Sequence, residues 1–364
     1  MEIFRGIGLM SGTSLDGLDI CLSEYNFTKP GFKILIAETI PYNSTLKQKL
    51  KNSVLLSGEE LIKLDVEFGR FLGNCVSDFI EKHNLSDIDF IASHGHTVFH
   101  NPKEGYTLQI GNGTQIFKKT GICTVYDFRT ADVIFGGQGA PLVPIGDEML
   151  FSEFDACLNL GGFSNISFNR NGQRTAFDIC PVNIVLNRLT EKLGIVYDKD
   201  GEIAASSKVS TDLLSQLNKL EFYRKNPPKS LGVEWCNQNI FPLLQDSELS
   251  VQELIATFTQ HIADQISEIL NKYSVKNVLI SGGGAYNKFL IKTLGAQTCA
   301  ALIIPEKNII EYKESLIFGW MGLLRLKNKN NILNSVTGAE RNHSAGIIVG
   351  EFVNLRDEEE VGFG

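Results

Sequence analysis

Residues 10–19 read MSGTSLDGLD and connect two apolar runs, FRGIGLMSG (4–12) and LDICLSEYNF (18–27). Both runs are typical of β-strands, and a third, GFKILIAETI (31–40), follows a Lys-Pro-Gly turn. The first forty residues therefore predict an antiparallel meander of three strands. The connection at 10–19 is either an ordinary Asp-Gly hairpin or a loop shaped to hold a ligand.

The residue types in this connection suit a phosphate group. Its two glycines allow close backbone approach, and exposed N–H groups in such a turn can bind an anion. Thr13 and Ser14 add hydroxyl donors, and Asp16 and Asp19 could hold hydrated Mg²⁺ beside a phosphate. It is not a Walker A loop, because it lacks the G-K-[ST] ending and leads into a strand instead of a helix.

Composition limits the class of protein. The 364 residues suggest about two domains. The net charge of −8 argues against a nucleic-acid binder, which normally carries a basic stripe. No apolar run is long enough for a membrane helix, and the first residues do not read as a signal peptide. Seven scattered cysteines without a C-x-x-C pair indicate a reducing cytoplasm.

The pattern of the first half starts again in the second half. Runs at 154–162, 164–172 and 173–180 predict another three strands, and a helix follows them as a helix from Ser57 follows the first three. We therefore expect duplicated domains at 1–133 and 134–335, with the segment at about 336–364 packing back on the first domain. A joint containing several glycines and prolines, IFGGQGAPLVPIGD (134–147), separates the halves.

Two further glycine loops lie in the second half. NLGGFSN (159–165) again places glycines in a hairpin, and SGGGAYN (281–287) closes a strand and opens a helix. A helix N-terminus favours an anion or a nucleotide. One glycine cluster is weak evidence, but three at strand ends favour a nucleotide-binding protein.

Longer motifs make a resemblance specific. In order along nearly the whole chain come MSGTSLDGLDI, SHGHTVFHNP, YDFRTADVIFGGQGAPLVP, NLGGFSNIS, AFDICPVN, YDKDGEIAA, PPKSLG, ISGGGAYN, YKES and NSVTGAERN. Together they resemble the anhydro-N-acetylmuramic acid kinase family. The resemblance implies an α/β fold of two duplicated actin/hexokinase-like (ribonuclease H-like) domains, with mixed sheets flanking an ATP cleft.

The resemblance also implies an activity. The family uses ATP and water to open 1,6-anhydro-N-acetylmuramic acid and to phosphorylate O6, giving N-acetylmuramic acid 6-phosphate in peptidoglycan recycling. It implies ATP and Mg²⁺ as cofactors, a small amino sugar as the partner molecule, and neither nucleic acid nor membrane as a partner. We further expect a cytoplasmic homodimer.

The resemblance assigns roles residue by residue. It implies Asp178 as the general base. It implies ATP contacts at Gly12, Thr13, Ser14, Leu15, Asp16, Gly17, Leu18, Asp19, Gly161, Gly162, Gly282, Gly283 and Gly284. It implies sugar contacts at His94, His96, Thr97, Asp127, Arg129, Gln138, Gly139 and Glu314.

This chain departs from the family pattern at several positions. The usual D-T-G-P-G-N is D-I-C-P-V-N here (178–183), so Cys180 and Val182 replace two glycines. The usual H-G-Q-T is H-G-H-T, with His96 in place of glutamine. Two rival functions follow from these departures: a non-catalytic sugar-binding sensor on the same fold, or a kinase for a related amino sugar.

Several candidate residues have a purely structural alternative. Asp178 could be a helix N-cap, Arg129 a member of a structural ion pair, and Glu314 a first-turn residue that complements a helix dipole. His94, His96 and His100 have strand spacing that would place all three on one face of the sheet. No carboxylate or cysteine cluster supports zinc there, so we expect substrate or structural hydrogen bonds instead.

Overall fold

The structure is a computed structural model that describes residues 2–12 and 15–352. Thr13 and Ser14, both predicted to contact ATP, lie outside the described residues, as does the part of the predicted C-terminal segment from residue 353 onwards. No helix in the described ranges is both long and apolar enough to cross a membrane.

The secondary structure alternates strands and helices along the chain. The strands are β1 Ile3–Ser11, β2 Gly17–Asn26, β3 Gly31–Pro41, β4 Phe90–Asn101, β5 Tyr106–Ile110, β6 Thr124–Tyr126, β7 Ala156–Leu160, β8 Phe163–Arg170, β9 Gln173–Pro181, β10 Asn277–Ser281, β11 Ala301–Ile303 and β12 Ile347–Val349. The helices are α1 Ser44–Lys51, α2 Gly58–Lys82, α3 Gly113–Thr120, α4 Thr130–Ile134, α5 Pro144–Leu150, α6 Asn183–Glu191, α7 Glu202–Ser206, α8 Thr211–Asn218, α9 Glu221–Arg224, α10 Val233–Asn239, α11 Phe241–Gln245, α12 Val251–Lys272, α13 Lys288–Gly295, α14 Lys307–Leu326 and α15 Asn334–Thr337.

The first sheet contains the predicted meander. Its order is β12-β6-β4-β1-β2-β3, and β5 pairs with β4. Strands β1, β2 and β3 are antiparallel neighbours, with Ser11 opposite Leu18 where the quoted turn begins and ends. Strand β4 is parallel to β1, and β6 is parallel to β4. The strand pattern of the first forty residues is therefore confirmed.

The second sheet repeats this topology. Its order is β11-β10-β7-β8-β9, in which β7, β8 and β9 are antiparallel neighbours. Strand β10 is parallel to β7, and β11 is parallel to β10. Each sheet thus contains an antiparallel meander extended by two parallel strands, and the first sheet has two further antiparallel strands, β5 and β12. The predicted fold class, mixed α/β with a duplicated sheet, is confirmed.

The chain forms two compact units whose boundaries differ from those of the predicted domains. One unit holds Met1–Leu150 and Tyr312–Gly364, and the other holds Phe151–Glu311. The predicted joint at 134–147 therefore lies within the first unit. Its backbone is held there by hydrogen bonds such as that from Gln138 N–H to the Thr337 carbonyl oxygen (2.8 Å), and the bounds of the duplicated domains stay a prediction.

Helices cover both faces of the first sheet. On one face α2 buries Phe68 and Leu72 against apolar side chains that include Ile7 of β1. The helix predicted from Ser57 begins with a capping box, in which Ser57 and Glu60 bond each other's backbone. On the other face α14 lies so close to β1 that a Cβ atom on Gly8 would be 1.8 Å from the Ser315 carbonyl oxygen.

The substitution Gly8→Ala tests this close approach. The added methyl group must push α14 away from β1, since the atom it meets is backbone and cannot rotate aside. We expect the free energy of unfolding to fall by about 3 kcal/mol in urea titrations. Gly58→Ala is the control: a Cβ atom at the first residue of α2 meets nothing within 4 Å. Equal stability of the two variants would contradict the packing argument.

Candidate functional site

Three parallel strands end at one edge of the first sheet. Ser11 of β1 is opposite His96 of β4, and Tyr126 of β6 is opposite Ser93 of β4. The carboxyl ends of parallel strands meet at the same edge, which is where α/β proteins bind ligands. The predicted sugar residues at 94–97 lie in β4 where its parallel pairing with β1 and β6 ends, and those at 127–129 follow β6 directly.

His94 and Arg129 are directly bonded. The Nδ1 atom of His94 is 2.9 Å from the Gly95 carbonyl oxygen, which can only accept, so Nδ1 carries the proton. The Nε2 atom is then the acceptor for Arg129 Nε–H, at 2.9 Å. Burial, with the Arg129 charge as a second cause, holds the pKa of His94 well below its usual range. A neutral imidazole of defined tautomer therefore orients the guanidinium.

The Arg129 guanidinium is held at a second point by a hydrogen bond from Nη1 to the Gly139 carbonyl oxygen (2.5 Å). Desolvation lowers the pKa of Arg129 to about 10, with the carboxylates of Glu314 and Asp132 opposing the shift. Among the described residues Arg129 makes no salt bridge, so the structural ion pair is not the arrangement seen. A positioned, charged guanidinium with remaining donors suits an oxygen-rich ligand.

Glu314 is not in the first turn of a helix, as the structural alternative based on the helix dipole required. Helix α14 begins at Lys307, so Glu314 is at the end of its second turn, beyond the first turn in which the helix dipole acts. The residue is exposed, yet surrounding protein desolvates the carboxyl group enough to raise its pKa; Arg129 opposes this shift and Asp19 adds to it. The adjacent Lys313 makes a buried ion pair with Asp147 (2.6 Å), which anchors this part of the helix.

The histidines of β4 do not share one face, so that prediction was wrong. The pairing with β1 shifts register after Leu9, and Gly95 has a φ of +73°, which breaks the strand alternation. The ring of His94 contacts Phe318 of α14, whereas that of His96 contacts Phe68 of α2 on the opposite face. Among described residues no cluster of three or more histidine, cysteine or carboxylate side chains could hold a metal.

His96 has a structural partner at the end of β1. Its Nδ1 atom is 3.3 Å from the Ser11 hydroxyl, which accepts a hydrogen bond from Tyr42 (2.6 Å). Burial lowers the pKa of His96 to about 4, so the imidazole is neutral near pH 7. His100 is exposed, and its ring bonds Thr107 on the neighbouring strand (3.0 Å).

Other predicted sugar residues border the same edge. The Thr97 hydroxyl accepts a hydrogen bond from Gln109 (3.3 Å). Asp127 has a positive φ of 56°. Its carboxylate accepts a hydrogen bond from the N–H of Thr130, the first residue of α4 (3.2 Å). Gln138 is exposed, with its backbone bonded to the C-terminal segment. These side chains border the Arg129 region without direct bonds to it among the described residues.

The predicted ATP turn is partly structural. Leu18 is buried in the core, and a Cβ atom on Gly17 would lie 2.5 Å from the Ile40 carbonyl oxygen, so strand packing alone requires glycine there. The Asp19 carboxylate accepts a hydrogen bond from Thr39 (2.6 Å). Leu15 has a φ of +60° and bonds the Gly12 carbonyl oxygen through its N–H (3.3 Å).

In the second unit two glycine loops are adjacent. The parallel pairing of β7 with β10 sets Ser281 opposite Asn159, so the loops at 161–162 and 282–284 leave the same edge. Gly282 has a φ of +81°, and a Cβ atom there would lie 2.5 Å from Asn159 Oδ1. Asn183 joins the arrangement by donating from its side chain to the Leu160 carbonyl oxygen (3.2 Å). The structure therefore adds Asn183 to the candidates.

Asp178 lies in β9 and not at a helix N-terminus, since Val182 is the residue that precedes α6. Its Oδ2 atom accepts the Leu231 N–H (2.7 Å), and its own N–H bonds the Lys229 carbonyl oxygen (3.1 Å). Among the described residues Oδ1 has no hydrogen-bond partner. Desolvation by burial raises the pKa of Asp178, and the Leu231 hydrogen bond opposes this. A half-buried carboxylate with one bonded oxygen is suited to accept a proton.

The loop after Asp178 accommodates its two replaced glycines. Neither Cys180 nor Val182 has a positive φ, so both positions admit side chains. Both residues are buried, and the Ser164 hydroxyl bonds the Cys180 backbone at N–H and carbonyl oxygen. The side chains of Cys180 and Val182 therefore pack behind the loop, and Asp178 and Asn183 on either side of them make the hydrogen bonds described above.

Two parts of the site were missed by the sequence reasoning. Asp132 is fully buried and bonds the Gly139 N–H (2.7 Å); it lies within the quoted motif YDFRTADVIFGGQGAPLVP, which was its only signal. The segment Lys229–Leu231, within the motif PPKSLG, positions Asp178 through backbone groups. Backbone partners leave no side-chain pattern in the sequence.

Comparison with known proteins covers nearly the whole chain. A family model described as anhydro-N-acetylmuramic acid kinase matches residues 4–351. The anhydro-N-acetylmuramic acid kinase of Pasteurella multocida is 37% identical over 94% of this chain and 96% of that protein. The protein of the same name from Mannheimia succiniciproducens is 34% identical over 94% of this chain and 98% of its own length.

Among solved structures, one similar chain is the activator of 2-hydroxyisocaproyl-CoA dehydratase from Clostridium difficile with bound ADPNP. It is 12% identical, has a TM-score of 0.44, and the match covers 86% of this chain and 92% of that chain.

His96→Gln, which restores the usual family residue, tests the buried imidazole. The pKa of His96 is about 4 in the folded protein, but a histidine in the unfolded chain takes up its proton near pH 6.5. Stability from the neutral ring is therefore present above pH 6.5 and is lost as the pH falls towards 4. Relative to the variant, the native protein should lose about 1.4 kcal/mol of unfolding free energy per pH unit in this window. Urea unfolding at pH 7, 6 and 5 measures this; parallel curves would contradict it.

Proposed function

The chain belongs to the anhydro-N-acetylmuramic acid kinase family, and we propose that it uses ATP and water to convert 1,6-anhydro-N-acetylmuramic acid into N-acetylmuramic acid 6-phosphate and ADP. The observation that carries this proposal is Asp178. Its carboxylate is half-buried, is held at Oδ2 by the Leu231 N–H, and has a raised pKa. A kinase acting on an anhydro sugar needs such a base for water, and a sugar sensor does not.

The glycine loops are proposed to bind the ATP phosphates. A Cβ atom on Gly162 or Gly283 would meet no atom nearer than 3.7 Å, so these residues leave open space beside exposed backbone. The N–H groups of such loops are suited to phosphate oxygens. The turn from Gly12 to Asp19 is proposed to supply further phosphate contacts.

Mg²⁺ is proposed to accompany the nucleotide. The described residues offer no ready-made cage of three ligands, but Mg²⁺ on a nucleotide needs only one or two carboxylates besides phosphate oxygens and water. Asp16 and Asp19 fit this requirement, and Thr39 orients Asp19 through a 2.6 Å hydrogen bond. The ion would neutralise phosphate charge.

The sugar is proposed to lie against the edge that carries Arg129. The guanidinium is fixed by His94 and by the Gly139 carbonyl oxygen, so its other N–H groups are directed and ready to bind. An acidic sugar with a lactyl carboxylate and several hydroxyl groups matches such donors. Glu314 is exposed and close enough to Arg129 to raise the pKa of the guanidinium. Its carboxylate would accept hydrogen bonds from sugar hydroxyls.

The chemistry explains why water is required. In a 1,6-anhydro sugar O6 is bonded to C1 and has no proton to lose. We propose that Asp178 takes a proton from water as the water oxygen bonds C1 on the face opposite O6. The C1–O6 bond breaks, O6 bonds the γ-phosphorus, and the bond from that phosphorus to the β–γ bridging oxygen breaks to release ADP. Loop N–H groups stabilise the charge on the transferring phosphoryl group.

The proposal includes the pathway, the cellular location and the oligomeric state of the protein. The product class assigns the protein to peptidoglycan recycling, and its cytoplasmic location and homodimeric state remain predictions. The primary test is ADP release by the native protein with 1,6-anhydro-N-acetylmuramic acid and a panel of related amino sugars under saturating Mg·ATP. Tight sugar binding without ADP release would instead support the sensor, and turnover of another sugar alone would support a related kinase.

Asp178→Asn tests the proposed base. The amide keeps the size of the side chain and can still accept the Leu231 N–H, but it cannot take a proton from water. We expect kcat to fall by about 10³-fold, with little change in nucleotide affinity measured by calorimetry. Asp155→Asn is the matched control. Asp155 directly precedes β7, and its carboxylate also accepts a hydrogen bond from a backbone N–H, that of Lys276 (2.8 Å). Retention of more than about a tenth of the native rate in Asp178→Asn would exclude Asp178 as the base.

The origin of the C1 hydroxyl tests the coupling of cleavage to phosphorylation. In H₂¹⁸O the label should enter C1 of the product and not its phosphate ester, because water attacks carbon and O6 attacks phosphorus. Mass spectrometry of the product and of its dephosphorylated sugar distinguishes the two positions. Label in the phosphate, or free N-acetylmuramic acid formed ahead of its 6-phosphate, would contradict the coupled route.

A further inference from the structure

A buried carboxylate organises the loop that carries Gln138 and Gly139. Asp132 of α4 is 0% exposed. Its Oδ2 atom accepts the Gly139 N–H (2.7 Å), and its Oδ1 atom accepts the Thr337 hydroxyl (2.8 Å). A ring nitrogen of His343 lies 3.7 Å from Oδ1. Both carboxylate oxygens are therefore used, one by the loop and one by the C-terminal segment.

The loop is wrapped tightly around this carboxylate. A Cβ atom on Gly137 would lie 2.2 Å from Asp132 Oδ2, so only glycine fits beside it. The Gly137 N–H also bonds the Asp132 carbonyl oxygen (2.8 Å). Gly139 has a φ of +66°, a conformation that favours glycine. The two glycines flanking Gln138 are thus explained by the close approach to Asp132 and by backbone conformation.

The segment 333–343 holds the same loop from outside. The Gln138 N–H bonds the Thr337 carbonyl oxygen (2.8 Å), and the Glu340 N–H bonds the Phe135 carbonyl oxygen (3.0 Å). The Arg341 guanidinium lies 5.2 Å from the centre of the Phe135 ring. Thr337 therefore bonds residues 132–139 at two points, through its hydroxyl to Asp132 and through its carbonyl oxygen to Gln138, and its hydroxyl also contacts Leu333 and Ala339 in its own segment (3.4 Å each).

We propose that Asp132 and Thr337 are positioning residues for the sugar: they fix Gln138 and Gly139 and, through the Gly139 carbonyl oxygen, the guanidinium of Arg129. This inference rests on the proposed function, since it assigns a role toward the same sugar. The chain of contacts runs from Thr337 to Asp132 (2.8 Å), from Asp132 to Gly139 (2.7 Å) and from Gly139 to Arg129 (2.5 Å).

Charge favours this role over simple packing. A buried carboxylate loses its hydration, and well-packed apolar residues would stabilise a loop at least as well. A carboxylate has an advantage where two donors from separate segments must be held at fixed positions, because its two oxygens accept from both. Because Gln138, Gly139 and Arg129 are proposed sugar contacts, loss of this support should weaken sugar binding and leave nucleotide affinity unchanged.

Thr337→Val is the central experiment, since valine has the same shape and removes only the hydroxyl group. We expect KM for the sugar to rise about tenfold, KM for ATP to stay within twofold, and kcat to change by less than threefold. Thr337→Ser keeps the hydroxyl group and should restore the native KM. Thr190→Val is the matched control, because Thr190 is also buried and its hydroxyl bonds the Asn187 and Val196 carbonyl oxygens in the other unit.

Hydrogen exchange provides a readout that does not depend on catalysis. Without ligands, peptides that cover residues 135–140 should exchange at least tenfold faster in Thr337→Val than in the native protein, and Asp132→Asn should show the same change if it folds. Unchanged sugar KM together with unchanged exchange in Thr337→Val would overturn the proposal, and so would a KM that serine fails to restore. If the native protein does not phosphorylate the sugar, the proposed function fails. In that case faster exchange in Thr337→Val, together with weaker sugar binding measured by calorimetry, would still support the positioning role.

Discussion

Parallel pairing between the first strand of each meander and a later strand is the constraint on which the rest of each unit depends. Strand β1 pairs with β4, and β7 pairs with β10. A parallel pair ends at one edge of its sheet, so the loops that follow both strands begin side by side. In the first unit residues 94–97, where the parallel pairing of β4 ends, and residues 127–129, which follow β6, lie at this edge. In the second it collects the loops at 161–162 and 282–284.

The contacts built on these edges are mostly polar and buried, and each one restricts the next. His94 has one acceptor and one donor as neighbours, which fixes its tautomer and so the direction of Arg129. Lys313 and Asp147 neutralise each other beside Glu314. Because a buried polar group without a partner costs free energy, these side chains have few alternative arrangements. A ligand would therefore meet groups that are already oriented.

The two units use one topology for different chemistry. The first unit presents a cation, imidazoles and carboxylates around its strand ends, whereas the second presents glycine backbone and Asp178. The glycines of the second unit leave room for a ligand at positions 162 and 283, but Gly282 is required by its own positive φ and by Asn159. The replacement of two further glycines by Cys180 and Val182 is compatible with the fold, since neither position needs a positive φ. Function therefore depends on the loops and not on the shared topology.

The sequence by itself determined the local elements, the duplication and the family, because strand alternation, helix caps and long motifs are written in consecutive residues. The meander and the helix that begins after Ser57 follow from such patterns. Only the tertiary structure decided which side chains meet. The bulge at Gly95 sends His94 and His96 to opposite faces, and the start of α14 at Lys307 removes Glu314 from the helix terminus. The bonds of Asp132 to Gly139 and Thr337 join residues up to 205 positions apart, and packing between distant segments, which no local pattern encodes, brings them together.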